Sequence, residues 1–364
     1  MMRTVYDGYS RITSDKTIFF AGANTASGFV GDYDRIADEK KLERVYIIKG
    51  GPGTGKSTLM RRIAEKAESS GISAVRYLCG SDPESLDCVV LGGRIALLDG
   101  TAPHIREMNY PGASSEIIDV SGFLDADKLE KEKEAIVYHA ERKRGYYASA
   151  YEYLKAAERI EKDKRKLSES VFLGEKADAY ITRFMKKLGK PKNADGSVKY
   201  VRTHGLTMKG AYRTDSFGAA YCYTAADYYG CAPLFMELMQ KKLADTGYTL
   251  TVSKLPVPDC TAEVFIEDCS VLIRAEGTGK DEKCINLARF ADDDRCADIR
   301  GEYRLASKLE VSCIDTALER LKKASEEHFA LEQIYISAMD FKSLGKYTED
   351  VTERVMKRLL HSKN

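Results

Sequence analysis

No run in this 364-residue chain approaches the roughly 20 consecutive apolar residues that a membrane-spanning helix requires, which argues against a membrane protein. The opening segment, MMRTVYDGYSRITSDK, has no apolar core followed by small residues, so no secretory leader is expected. Neither sign of charge is in excess: 57 Lys and Arg nearly cancel 56 Asp and Glu, for a net charge of +1. That balance supplies no global field for nucleic acid or an anionic membrane and argues against both as partners. The nine cysteines are odd in number and form no C-x-x-C pair. This argues against both a disulfide framework and a zinc site. Reduced thiols in a cytoplasmic protein are the expectation.

What is present suits packed cores. Hydrophobic residues make up 43% of the chain and charged residues 31%, over a length sufficient for two domains. RVYIIKG (Arg44–Gly50) is a β-branched run ended by glycine and reads as a buried strand. After it, Leu59, Met60, Ile63, Ala64 and Ala67 share one helical face, and Gly71 stands where a C′ glycine ends a helix. SAVRYLC (Ser73–Cys79), RIALLD (Arg94–Asp99) and SEIIDV (Ser115–Val120) are further strand candidates. Strand, helix and strand at these spacings predict an α/β fold, a parallel sheet with helices on both faces.

Between the first strand and its helix, Gly50-Gly51-Pro52-Gly53-Thr54-Gly55-Lys56-Ser57-Thr58 satisfies G-x-x-x-x-G-K-[ST], the P-loop or Walker A pattern. The glycines let successive backbone N–H groups close on a diphosphate, where a side chain would fill the space. Lys56 reaches the outer phosphates, and Ser57 can ligate Mg²⁺. The helix that follows aims its positive end at the same anion. A strand before the motif and an amphipathic helix after it supply the confirming context. ATP with Mg²⁺ is therefore the expected ligand, and the absence of an N-K-x-D motif favours adenine over guanine.

Magnesium also needs a carboxylate at a neighbouring strand end. Asp99, closing RIALLD, fits the Walker B pattern and is favoured as a metal ligand beside Ser57, with Asp119 as its competitor. The residue after Asp99 is Gly100, where many hydrolytic relatives of this motif carry a water-activating glutamate. Two loops at the same sheet edge add candidates: Asp82 and Asp87 in CGSDPESLD, and Thr101 and His104 in DGTAPH. The candidate catalytic set is Lys56, Asp99, Asp82 and His104. Asp82 would position water or an acceptor hydroxyl, and His104 would contact phosphate or act as a base.

From Asp125 to Leu188 proline and glycine almost vanish, which predicts long helices, with a hairpin projecting from the core as one arrangement. Beyond the turn-rich GKPKNADGS, the second half follows the first in a single ungapped register. Gly247 falls under Gly71, Met236 under Met60, Phe235 under Leu59, VFI (Val264–Ile266) under Cys88–Val90, and VLI (Val271–Ile273) under Ile95–Leu97. In that register Cys231, Ala232, Pro233 and Ala275 replace Gly55, Lys56, Ser57 and Asp99, so the second half keeps an apolar skeleton and loses the phosphate grip. The expectation is an internal duplication. It comprises an α/β core over 1–124, helices over 125–189, a linker over 190–198, a degenerate α/β half over 199–302, and C-terminal helices over 303–364. Arg202 and Arg213 are distant candidates for an arginine finger.

FFAGANTASGFV, GGPGTGKSTLM, CGSDPESLD and DGTAPH resemble a poorly characterised bacterial ATPase family, chiefly from Gram-positive anaerobes and spore-formers, whose members carry two P-loop halves in tandem. The match covers Lys16–Val120, and ALEQIYISAMDF (Ala330–Phe341) resembles the family's C-terminal helix. The resemblance implies ATP binding at Gly50–Thr58 and a cytoplasmic setting. Many relatives resemble an intact P-loop unit in the second half as well. This chain departs from that, so schemes with two alternating ATPase sites do not carry over. Three functions remain open at this level: a Mg²⁺-dependent ATPase with one N-terminal site, a kinase for a small molecule or nucleotide, and a nucleotide-gated scaffold whose helical segments meet a protein partner.

Overall fold

The computed structural model describes residues 4–102, 105–192, 196–275 and 283–361. After a short strand β1 (Ser10–Ile12), the first core runs β2 (Thr17–Phe20), a hairpin β3 (Gly22–Thr25) and β4 (Gly28–Gly31), the single turn α1 (Tyr33–Ile36), β5 (Arg44–Lys49), α2 (Lys56–Ser69), β6 (Ala74–Leu78), β7 (Leu86–Leu91), β8 (Ile95–Asp99) and β9 (Ser115–Asp119). Helices α3 (Ala126–Lys131), α4 (Lys133–Val171) and α5 (Gly174–Leu188) follow. The second core runs β10 (Val198–Val201), the hairpin β11 (His204–Thr207) and β12 (Gly210–Thr214), β13 (Tyr221–Ala226), α6 (Cys231–Asp245), β14 (Leu250–Lys254), β15 (Thr261–Ile266), β16 (Val271–Arg274) and β17 (Lys283–Asn286). Helices α7 (Asp293–Ser337) and α8 (Phe341–His361) close the described chain.

Each core is a six-stranded sheet, ordered β2-β6-β7-β8-β5-β9 in the first and β10-β14-β15-β16-β13-β17 in the second. The expected all-parallel sheet is corrected to a mixed one, because β7 runs against both β6 and β8, and β15 against both β14 and β16. The reason is chain length. A parallel crossover takes a dozen or more residues, whereas Gly92 and Gly93, at φ 54° and 68°, turn β7 straight into β8. Both sheets slip register at the same place, between Tyr77 and Leu78 and between Ser253 and Lys254. Helices on both faces is a second correction for the first core. On one face α2 and α8 bury Leu59, Met60, Ile63, Val351, Val355 and Leu359. On the other, Val45, Ile47, Ala96 and Leu98 lie under α1 and loop residues such as Leu42 and Met108.

The long helices form, but not as a projecting hairpin. Helix α4 lies antiparallel along α7, with His139 reaching Glu327 (2.7 Å) near one end and Lys164 reaching Glu310 near the other. Each helical arm then crosses over. Helix α5, which follows the first core, packs Ala177, Ile181 and Phe184 against α6 of the second. Helix α8, which follows the second core, packs on α2 of the first. The crossings are reciprocal to the residue. At one, Asp125 N donates to Ala338 O (2.8 Å) and Asp340 N to Phe123 O (2.9 Å). At the other, Asp292 N donates to Val171 O (2.9 Å) and Leu173 N to Phe290 O (2.8 Å). Helix α7 starts at Asp293, ahead of the expected boundary at 303, capped by the Asp292 side chain. Among the described residues, no helix is long and apolar enough to cross a membrane.

Candidate functional site

The Gly50–Ser57 loop leaves β5, the fifth of six strands in the first sheet, between β8 and the edge strand β9. Gly53 and Gly55 take φ of 68° and 83°, backbone values that favour glycine, and Gly55 sits at the N-cap of α2. A Cβ on Gly51 would lie 2.9 Å from the Tyr335 ring, and one on Gly53 would lie 2.8 Å from Ile336, so the end of α7 rests directly on the loop. Lys56 is buried and donates to Gly50 O (3.0 Å) and Gly51 O (2.6 Å), while Thr54 Oγ1 donates to Gly51 O (2.8 Å). Among the described residues, the amides of Gly55, Lys56 and Ser57 donate to no protein acceptor. These are the groups that a bound anion would satisfy.

Asp99 pairs across from Ile48 at the end of β8, and its Oδ2 lies 3.5 Å from Lys56 Nζ. The competitor Asp119 closes its own turn, accepting from Ser121 N (2.8 Å). Thr101 is structural: its hydroxyl donates to Gly50 O (2.9 Å) and its amide to Asp99 Oδ1 (2.8 Å). Ser57 Oγ accepts from Leu86 N (2.9 Å), tying the start of α2 to the start of β7. Asp87 is buried and accepts from Tyr33 OH (2.7 Å). Asp82 is half-buried and meets Lys209 Nζ at 3.0 Å. His104 lies outside the described residues. Arg202 is held by Asp32 (2.7 Å), and Arg213 is buried.

Four side chains that sequence reasoning misses complete the site. Lys143 comes from α4, Lys209 from the turn between β11 and β12, and His328 and Glu332 from α7. His328 Nε2 is 3.6 Å from Glu332, and Lys143 Nζ is 3.4 Å from His328 Nδ1. Burial, then the nearby Lys143 charge, pushes His328 down to about 4, with Lys56 and Lys209 adding to the effect. Burial, then the Asp82 charge, raises the Glu332 carboxyl above its ordinary range. For Lys209, burial is outweighed by hydrogen bonds to Glu84 and Asp82, which raise it.

Lys209 arrives by a reciprocal device. In the first hairpin Thr25 Oγ1 donates to Gly28 O (2.8 Å) and accepts from Ser27 N (3.1 Å); in the second, Thr207 makes the same bonds with Gly210 O (2.8 Å) and Lys209 N (3.1 Å). Each hairpin reaches into the opposite half. Met208 N donates to Ser81 O (2.8 Å), and Ala26 packs in one cluster with Val257. Thr207 thus answers Thr25 and Gly210 answers Gly28, a wider spacing than the one that sets Gly247 under Gly71, so an ungapped comparison hides the pair.

The second loop has the same entry to its helix and different chemistry. Gly230, at φ 72° and ψ 17°, caps α6 as Gly55, at φ 83° and ψ 8°, caps α2. This corrects the expected register by one position: Gly230, Cys231 and Ala232 stand at Gly55, Lys56 and Ser57, and VFI pairs as Val89–Leu91 does. Between β13 and Gly230 there are three residues, against five between β5 and Gly55. Within that shorter loop, the Asp227 carboxylate accepts from Gly230 N (3.3 Å) and Ala232 N (2.8 Å). The protein thus supplies its own anion where the first loop leaves amides open. Burial raises the Asp227 carboxyl and pushes the Cys231 thiol up. Tyr6, Lys164, Asp227 and Tyr303 leave a cavity of about 20 Å³ there, room for a water.

Comparison with known proteins yields no relative. The chain matches no family model, no curated protein and no solved structure.

Proposed function

We propose that this chain binds ATP with Mg²⁺ at Gly50–Thr58 and hydrolyses it at that single site, its second half being a degenerate, non-binding copy of the same P-loop unit. The family of tandem P-loop ATPases that it resembles is the proposed home, and the cytoplasm the proposed compartment. One observation carries the reading. Open amides at Gly55, Lys56 and Ser57 lie beside a buried lysine, while the matching amides at Gly230 and Ala232 are already taken by Asp227.

In this reading the loop amides and Lys56 hold the phosphates, and the start of α2 adds its dipole. Ser57 and Asp99 would hold Mg²⁺. The donor set fits, because Mg²⁺ takes few protein oxygens and fills the rest of its shell with phosphate and water. The ion would supply charge neutralisation on the outer phosphates. Catalysis of this class is positioning and charge stabilisation. Gly100 leaves the strand end without a hydrolytic glutamate, but Glu332 brings a half-buried carboxylate with a raised pKa to the same loop from α7. That observation favours hydrolysis over transfer to an acceptor.

The test is ATP turnover by wild type and Lys56→Ala, following ADP and free phosphate separately across a metabolite panel. ADP and phosphate in equal amounts without an acceptor support hydrolysis. ADP without phosphate, appearing only with an acceptor, replaces hydrolase by kinase. Binding of ATP–Mg²⁺ that is no weaker in Lys56→Ala removes the reading.

A further inference from the structure

Lys143 is a half-buried ammonium whose only hydrogen-bond neighbour among the described residues is the ring of His328 (3.4 Å), and no carboxylate there lies within ion-pair distance of it. His328 is held neutral at pH 7 by burial and by Lys143 itself, so it offers no counter-charge. Glu332 meets the other ring nitrogen of His328, and its charge acts on Lys143 from beyond ion-pair distance. Burial of an ammonium without a paired anion is costly, and such a group either stays partly neutral or awaits a ligand. Burial pushes Lys143 down, and the more distant Glu332 charge offsets this only in part.

The reciprocal positions show what the site has selected. In the register that relates the two crossings, with Asp292 answering Asp125, Ala150 corresponds to Ala317, Leu154 to Leu321 and Ala157 to Ala324, all fully buried. In the same register Lys143 corresponds to Glu310 and His328 to Glu161. Glu310 is fully buried and paired with Lys164, beside the loop that Asp227 fills. Near the open loop this position is thus a lysine with no carboxylate in ion-pair reach among the described residues, whereas near the filled loop it is a glutamate already neutralised by Lys164. The loop amides close on a diphosphate. Lys143 comes from α4, outside the loop, and its neighbour His328 is within electrostatic reach of Lys56, so Lys143 is placed to meet a group that projects beyond that diphosphate.

We propose that Lys143 is a second phosphate-binding cation of this site, supplied by α4 to the terminal phosphate of a nucleoside triphosphate. It makes the site discriminate triphosphate from diphosphate. The proposal rests on the ATP-binding reading above.

Calorimetric titration with Mg-ATP, a non-hydrolysable ATP analogue and Mg-ADP tests it, using wild type, Lys143→Met, Lys143→Arg and Lys56→Ala. Lys143→Met should lose about tenfold in affinity for both triphosphates, the scale of one charge-assisted hydrogen bond, and keep ADP affinity within about twofold. Lys143→Arg should retain most triphosphate affinity. Without nucleotide, Lys143→Met should melt no lower than wild type, because the replaced ammonium is half-buried with no carboxylate in ion-pair reach among the described residues and a long, 3.4 Å contact to the His328 ring. Lys56→Ala should weaken both nucleotides. A wild-type ratio of ATP to ADP affinity in Lys143→Met overturns the assignment, as does equal loss of both. If Lys143→Met does not fold, a wild-type ratio in Lys143→Gln overturns it equally. Wild type that binds neither nucleotide overturns the ATP reading and this one together, whereas intact binding with an unchanged ratio overturns this one alone.

Discussion

The two loops enter their helices through the same left-handed glycine and differ in what meets the amides there: the Asp227 carboxylate in the second, and no protein acceptor among the described residues in the first. Gly55 and Gly230 adopt the same left-handed conformation at the head of a buried helix, and the sheets behind them have the same order, directions and bulge. At the first loop Lys56 lies beside Asp99 and Lys143 has no carboxylate within ion-pair distance among the described residues; at the second, Asp227 fills the loop and Glu310 is paired with Lys164. The contrast separates what builds this architecture from what builds a site. Apolar periodicity and glycine conformation suffice for the first. The second needs a handful of charges drawn from helices and a hairpin remote in sequence.

The largest effect should come from breaking the crossing of the arms. Leu359 of α8 is fully buried in the first core, and Ile181 of α5 is fully buried in the second. Leu359→Ala should cost about 2–5 kcal/mol and Ile181→Ala a similar amount, from lost transfer energy and the cavity left behind. Hydrogen exchange reads the crossing. Leu359→Ala should loosen α2, at the opposite end of the sequence, before α6, and Ile181→Ala the reverse. Loosening of the neighbouring core in sequence instead would show that the arms do not clamp the halves in this way.

Next in size is the grip itself. Lys56→Ala should weaken ATP–Mg²⁺ binding by about 2–3 kcal/mol, the scale of hydrogen bonds to a charged group. Cys231→Ala, at the matching position, should leave binding unchanged. Equal effects at the two positions would remove the asymmetry on which the single-site reading stands.

Legibility from sequence follows the same division. The β5–loop–α2 unit is readable because every signal is local: a β-branched run, glycines, lysine, serine, then an apolar period of helical spacing. Asp99 is readable as a strand-end carboxylate, and the structure puts its Oδ2 3.5 Å from Lys56. The antiparallel β7 escapes a reading by strand runs alone, although Gly92-Gly93 between two apolar runs is a hairpin signal. Lys143, Lys209, His328 and Glu332 have no local signal at all. They converge only because the arms cross and the hairpins reach over, and long-range docking leaves no periodicity. The register that sets Gly247 under Gly71 finds the helices and strands and misses the rest. The hairpins follow a wider spacing, Gly210 answering Gly28, and the arms a narrower one, Asp292 answering Asp125. The shorter second loop also shifts the grip by one position.

A smaller effect tests the internal anion. Asp227→Ala would leave the Gly230 and Ala232 amides unpaired in a buried place, at about 1–3 kcal/mol. Millimolar inorganic phosphate should restore part of that stability to the variant and add none through this loop to wild type. If thermal melts show that phosphate does not help the variant more than wild type, the carboxylate is an ordinary cap and not a stand-in for a bound anion.

The smallest effect is a difference in proton linkage between the two sites. His328 is depressed to about 4 from its ordinary value of 6.5, so between those values the unfolded chain binds more protons at this position than the folded one. Its contribution is fully present above the unfolded value and is lost as pH falls toward 4, about 0.7 kcal/mol of it between pH 7 and 6. Glu161 and Glu310 lie on the other side of the balance. Burial raises both above the ordinary 4.5, so the folded chain binds more protons there. Their contribution is fully present below 4.5 and is lost as pH rises through the raised values. His204, buried in β11 and also depressed, titrates in every variant and drops out of differences. Urea unfolding of His328→Gln should therefore show a shallower loss of stability than wild type from pH 7 to 6. Glu310→Gln should show a steeper loss from pH 6 to 5, since it lacks the compensating uptake. Parallel pH profiles for all three proteins would mean that the opposite shifts of His328 and Glu310 do not persist in solution.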